Sequence, residues 1–507
     1  MRTRLILLAA GILTASLISV SAQVYDWTTI AGTVTNSGSA DGTNSAAQFN
    51  GPGGVAVDTY GILYVADTWN AAIRKVTPVG TNWVTTTIAG AAGYGSAAQF
   101  NMPFSIAVDT NGNVYVADRD NDTIRKVTPV GTNWVTTTIA GLATNRGSTD
   151  GTNSDARFNG PVGIAVDSPG NVYVGDMYNC TIRKVTPVGT NWVTTTIAGL
   201  ATNWGSADGT NSDARFDSPD GVAVDTSGNL YVAEYGNSTI RKVAPVGTTN
   251  WVTSTIAGSA GHRGSADGTN SAARFYIPMG VAVDSAGNVY VADSYNHTIR
   301  KVSAVGTNWV TSTIGGTATN IGSADGIGSD ARFHYPMGVA VDTNGNLYVA
   351  DTYNNTIRLG VPLDVLTISK ETANVNFNPA KTNSDSCAVT ATFNHDASYN
   401  LTNLPVSLDI GGADASFNLD AKGKGRGVGE YGTCKLSYKK NTGPWTFTAS
   451  LKKGSWATQW QTYGLTNATT NAVSVTLPVT LIIGDGGFHG EKNLLYKAKA
   501  NKSGSAK

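Results

Sequence analysis

Cysteine is nearly missing from this chain, with three in 507 residues, Cys180, Cys387 and Cys434. So few cannot build a disulfide scaffold, and the fold must rest on burial and backbone hydrogen bonding. Charge is also scarce: 14% of residues are Asp, Glu, Lys or Arg, and the formal net charge is zero. No dense basic stripe stands anywhere, which argues against nucleic acid as a partner. Long apolar runs are absent after the first residues, so no membrane span is expected. The exception is Leu5–Val20, which follows Arg2 and Arg4 and ends at Ser21-Ala22. A basic start, a short apolar core and small residues at the cut describe a signal peptide. Cleavage is expected before Gln23, leaving an exported product, either secreted or held in the periplasm or at the cell surface.

What is abundant is repetition. A strand of the type GVAVD recurs six times, ending at Asp58, Asp109, Asp167, Asp225, Asp284 and Asp342. Periods of this size, with several short strands rich in Val, Ile, Tyr and Thr in each, point to a β-propeller. Residues 161–199 hold one full unit: GIAVD, NVYVGD, TIRKV and WVTTTIAG, joined by tight turns such as Pro169-Gly170. The WVTTTIAG-type strand first occurs at Trp27, before any GVAVD strand, and the last unit stops without one. The N-terminal strand should therefore complete the sixth blade beside Thr356–Val361, removing two exposed sheet edges.

Near residue 361 the repeat ends and the composition changes. Residues 1–360 carry 20 Lys+Arg against 25 Asp+Glu, and residues 361–507 carry 15 against 10. The chain thus reads as all-β: a signal peptide over 1–22, a six-bladed β-propeller over 23–361, and a β-sandwich over 362–507. In the sandwich, Cys387 and Cys434 lie at inward-facing strand positions and could form a disulfide.

The wording of the units, GVAVDxxGNxYVAD followed by VADxxNxTIRKVxxVGTNW, resembles the NHL-repeat family of six-bladed propellers, of the kind secreted by bacteria. The resemblance implies a binding scaffold most often, and in a minority a metal-dependent lyase or lactonase. A structural cell-surface protein is the remaining alternative.

The long loops entering each innermost strand and the Asp-x-x-Asn loops between the second and third strands should share one face. Loops on one side of a rigid scaffold are where binding usually resides. The entering loops repeat GSxDGTNSxARF, and their aspartates (Asp41, Asp150, Asp208, Asp267, Asp325) could suggest calcium. The closely alternating oxygens of a calcium loop are not there, and turn capping before a short helical turn is expected instead. Each Asp-x-x-Asn pair should close its turn, with the following arginine (Arg74, Arg125, Arg183, Arg241, Arg300, Arg358) pairing with a carboxylate. A group present in all six blades builds a ring, whereas catalysis would need one blade to differ.

The copies disagree between the Asp and the Asn, where Trp69, Tyr178, Tyr235, Tyr295 and Tyr353 form a candidate ligand-binding rim. Such rings could stack on a carbohydrate or grip a protein or peptide. His262, His297 and His334 lie in the same loops near blades five and six, and three histidines could hold zinc. They occupy positions that vary freely among the copies, so no metal, no cofactor and no catalytic residue is expected. Cys180 occupies one of these positions and is expected to be an exposed bystander.

Overall fold

The computed structural model describes residues 23–34, 36–90 and 100–363 with their side chains, and beyond 363 the backbone of individual strands between 364 and 506. The expected signal peptide, residues 1–22, lies outside the described residues. Six antiparallel sheets form the propeller. The first runs from the innermost strand Pro52–Val57 through Leu63–Asp67 and Ala72–Val79 to the outer strand Asn82–Gly90. Innermost strands touch in cyclic order, and the sixth, Pro336–Val341, returns to Pro52–Val57.

The ring closes as the sequence predicts. Tyr25–Gly32 lies antiparallel to Thr356–Pro362, with Trp27 opposite Gly360. Trp27 is fully buried, donates from Nε1 to the Ile314 carbonyl at 3.1 Å, and meets Phe333 edge-on at 5.1 Å. Its ring lies flat on the neighbouring strand: a Cβ on Gly360 would stand 2.6 Å from it, so only glycine fits there.

Every residue of the second strands is buried, as in Leu63–Asp67, because each blade is covered on both faces. The cores lie between blades. Tyr115 and Ile124 of blade two, for example, interlock with Phe158, Ile164 and Val174 of blade three. Each such side chain contributes about 1.5–3 kcal/mol by leaving water. The GVAVD aspartates are turn formers. Asp167 accepts from the Asn171 amide at 2.7 Å and from the Tyr173 hydroxyl at 3.0 Å.

The entering loop does a second job that its sequence hides. Gly42–Thr43 pairs with Val84 and Thr85 of the outer strand, and equivalent dipeptides cap the outer edges of blades three to six. These short fifth strands shield edges that would otherwise invite pairing with another chain. Residues 91–99, the corresponding loop of blade two, lie outside the described residues.

Beyond 363 the described strands belong to one sheet, in which Ser503–Ala506 pairs with both Thr367–Val375 and Gly486–Lys499. The two-layer packing expected of a sandwich, and the side chains of Cys387 and Cys434, lie outside the described residues.

Candidate functional site

The sixfold polar groups are scaffold. In blade one the buried Asp67 accepts from Arg74 Nη1 at 2.6 Å, from Asn70 at 2.8 Å and from the Asn50 amide at 2.8 Å. Arg74 Nη2 reaches Asp41 at 2.9 Å, and the guanidinium lies over Phe49 at 5.1 Å. The entering-loop aspartates therefore do not cap their turns, as the sequence suggested. Asp41 binds Arg74 and Thr87, and Asn44, at a positive φ of 50°, instead accepts from the Trp83 amide at 2.7 Å. Arginine ties the loop, the second strand and the aromatic beneath into one unit, and blades three to six repeat it.

The five aromatics of the expected rim fall into different neighbourhoods. Trp69, Tyr178, Tyr295 and Tyr353 occupy one equivalent position, each donating its amide to the carbonyl of the residue two after the entering-loop arginine or its counterpart, from Asn50 to His334. In blade four that bond is made by Gly236, to the Asp217 carbonyl, so Tyr235 stands one place nearer the inner strand. Tyr178 faces a different neighbourhood from the rest. Its hydroxyl accepts from Arg119 at 2.8 Å, and among the described residues no ring of the other four packs against it.

The structure gathers the others into an arc across blades five, six and one. Tyr276 meets Tyr295 at 5.2 Å, Tyr295 meets Tyr335 at 4.8 Å, Tyr335 meets Tyr353 at 4.9 Å, and Tyr353 meets Trp69 at 5.5 Å. Tyr276 and Tyr335 were missed by sequence reasoning. They belong to the pair preceding the Pro-x-Gly of the inner strand, which reads Asn50-Gly51 in blade one but Tyr276-Ile277 and His334-Tyr335 in blades five and six. Ile277 and Tyr335 hold φ of 52° and 48° where blades one and three use glycine. A β-branched or bulky residue there is strained, and strain of this kind concentrates at functional sites.

The histidines divide. His297 and His334 lie 6.1 Å apart and flank Tyr335 at 4.5 and 5.4 Å. His262 is exposed and, among the described residues, bonds within its own turn, to Ser259 and Ala260. Among the described residues no cluster of three metal-ligating side chains forms.

His297 and Cys180 also correct the expectation of free surface variation. Both are buried, at 4% and 7% exposure, and both sit in the left-handed region with Ala71, Asp122, Ser238 and Asn355. From this position Asp122, Asn355 and His297 Nδ1 accept the amides of Gly160, Gly51 and Tyr335 on the next blade. The position is a latch between blades, filled by whichever acceptor suits. Burial, aided by His334, pushes His297 down to about 4, so it stays neutral. Burial pushes the Cys180 thiol up.

One blade also differs on the axis. The residue after the inner strand's proline is Gly53, Phe104, Val162, Met279 or Met337 in five blades and Asp220 in blade four. Asp220 is 3% exposed and lines a narrow cavity of about 50 Å³ walled by residues of all six inner strands. A larger recess, about 650 Å³, lies away from the rim between blades three and four, against Thr195, Asn211 and Trp251, where no reactive groups converge.

The NHL repeat profile matches residues 216–243, 275–302 and 333–358, and the Teneurin NHL domain profile matches residues 92–186. The propeller carries NHL repeats. NHL repeat-containing protein 2 of Bos taurus is 28% identical over 309 residues, which are 54% of this chain and 40% of that protein. The chloroplastic Protein SUPPRESSOR OF QUENCHING 1 of Arabidopsis thaliana is 27% identical over 333 residues, 63% of this chain and 26% of that protein. The chain thus spans less than half the length of these curated relatives. Among solved structures, a protein of unknown function from Bacteroides thetaiotaomicron aligns with TM-score 0.52 and 22% identity, over 67% of this chain and 76% of that one. An auxiliary nutrient binding protein from Bacteroides ovatus aligns with TM-score 0.51 and 19% identity, over 67% and 77%. At such identities the likeness is one of fold.

Proposed function

We propose that this NHL propeller is an exported, non-catalytic binding scaffold of the secreted bacterial type, and that its ligand lies across the aromatic arc from Tyr276 to Trp69. One observation carries the reading: on a face that otherwise repeats sixfold, aromatic rings accumulate in three adjacent blades and touch one another. Rings needed only to cover blade edges would recur evenly. The framework tyrosines, such as Tyr173, spend their hydroxyls on turn aspartates, whereas those of Tyr276, Tyr335 and Tyr353 bond to nothing among the described residues. The arc carries little charge: Arg263 stacks on Tyr276 at 5.4 Å, and the two histidines are held toward neutrality. Flat rings with free hydroxyls and little charge suit an uncharged, hydroxyl-rich ligand, for which carbohydrate is the chemical class.

The test is a glycan and peptide array probed with the purified protein and with its Tyr353→Ala variant. Binding to uncharged glycans, weakened roughly tenfold or more in the variant, is expected for an aromatic anchor. Binding that survives the substitution, or that goes to peptides alone, would overturn this reading.

A further inference from the structure

Tyr335, the middle ring of the arc, stands 4.8 Å from Tyr295 and 4.9 Å from Tyr353. Its backbone holds a φ of 48°, strained for a bulky residue, at a place that blades one and three give to Gly51 and Gly160. A bond across blades holds it there. The Tyr335 amide donates to Nδ1 of His297, the latch residue of blade five, at 3.2 Å, and the imidazole meets the Tyr335 ring edge-on at 4.5 Å. His297 is thereby coupled to the centre of the arc through both the backbone and the side chain of one residue.

This latch differs from the others in what a proton does to it. Asp122, Asn355 and Ser238 accept the amides of Gly160, Gly51 and Ile277 through oxygens that can accept whether or not a proton is added. An imidazole nitrogen accepts through one lone pair, and a proton taken there leaves two N–H groups facing each other. We infer that His297 positions Tyr335 for the ligand and releases it on acidification, so that the arc opens and the ligand leaves. The inference rests on the arc being the binding site.

The surroundings offer a charged ring no counter-ion. Asp293 opens the same turn and Asp351 accepts the His334 amide, but each is spent on an arginine, Arg300 at 2.7 Å and Arg358 at 2.9 Å. The other titratable side chains on these elements are the arc tyrosines and His334, whose ring lies 6.1 Å away and would repel a second proton. Residues 316–320, which pack against the His297 carbonyl through Gly316, carry no titratable side chain. Burial thus keeps the latched ring neutral down to about 4, where a ring released into water would take its proton near 6.5. Between these values the latched form forgoes a proton that the released form binds, so falling pH favours release.

The test follows the Tyr335 and Gly51 amides of the ligand-free full chain by NMR, and the affinity for the best array glycan, as pH is lowered from about 7 to about 3.5. A single step is expected for Tyr335, shared with the His297 ring and centred between about 4 and 6.5. Gly51, held by Asn355, should not move. Glycan affinity should fall across the same step by roughly tenfold, the loss expected on deleting this ring. His297→Asn, which copies the latch of blade six, should keep Tyr335 in place and make binding independent of pH. A Tyr335 amide that stays while His297 titrates, or that moves equally in His297→Asn, would overturn the inference. So would a Gly51 amide moving in the same step, the sign of general acid unfolding. Equal glycan affinity at both ends overturns the release and leaves the binding reading standing, whereas a Tyr335 step with no glycan bound at any pH upholds the latch and sinks that reading. The two amides of the unaltered protein decide the matter even if the variant fails to fold.

Discussion

Arg183 shows how a repeated residue earns its place by structure alone. It is fully buried, pairs with the equally buried Asp176 at 2.8 Å, and reaches the half-exposed Asp150 at 2.7 Å. Arg183→Leu leaves Asp176 buried and unpaired and should cost about 3–5 kcal/mol in urea denaturation, while Asp150→Ala should cost about 1 kcal/mol or less. Comparable losses for the two would contradict the assignment of the buried pair as the stronger tie. Asp220 gives the opposite case, a residue that burdens the fold. Its folded pKa, about 8, lies above the ordinary aspartate value of 3.8, so the native state holds a proton that the unfolded chain has released. Stability from this group is greatest below about pH 4 and falls as pH rises toward 8. Denaturation of Asp220→Asn should therefore match the unaltered protein at pH 4 and exceed it increasingly up to pH 8. A constant difference across that range would show that Asp220 is not protonated in the fold. The Asp–Asn–Arg pairing was legible in the sequence because spacing alone sets it. Asp220 was not, since it hides in the register of an inner strand and is seen only when the six inner strands are aligned on their first proline and compared position by position.

At the scale of elements, the closing strand was the most readable feature. A missing outer strand at one end and a surplus one at the other leave a single way to satisfy both edges, and Tyr25–Gly32 takes it. Trp27→Ala should cost about 3–5 kcal/mol by opening a cavity beside Phe333, read as a lowered melting midpoint. A midpoint unchanged from the unaltered protein would mean the ring is not held shut there. The middle loops were read less well. Blade four lacks the short helical turn of its neighbours, which moved Tyr235 inward and put Gly236 on the rim. The latch position after each Asn was misjudged for a physical reason. Its varied residues, from Ala71 to His297, look like surface variation, but the left-handed backbone and the neighbouring amide require only a small or accepting side chain.

For the propeller as a whole, sixfold sameness marks scaffold, and the proposed binding rests on the departures from it. The departures include the rings of blades five, six and one on the long-loop face and, on the axis, Asp220 of blade four. The aromatic content of the first was half visible, because the rim tyrosines stood out between Asp and Asn while Tyr276 and Tyr335 sat at positions that hold Asn and Gly in blades one and three and vary in the others. The central claim is that the arc, and not aromatic exposure in general, holds the ligand. Binding isotherms for the best array glycan, taken with Tyr335→Ala and with Tyr178→Ala, test it most directly. Both variants should keep the melting midpoint of the unaltered protein. The account predicts that Tyr335→Ala weakens binding roughly tenfold or more while Tyr178→Ala leaves it within about twofold; equal losses, or a loss confined to Tyr178→Ala, would contradict it.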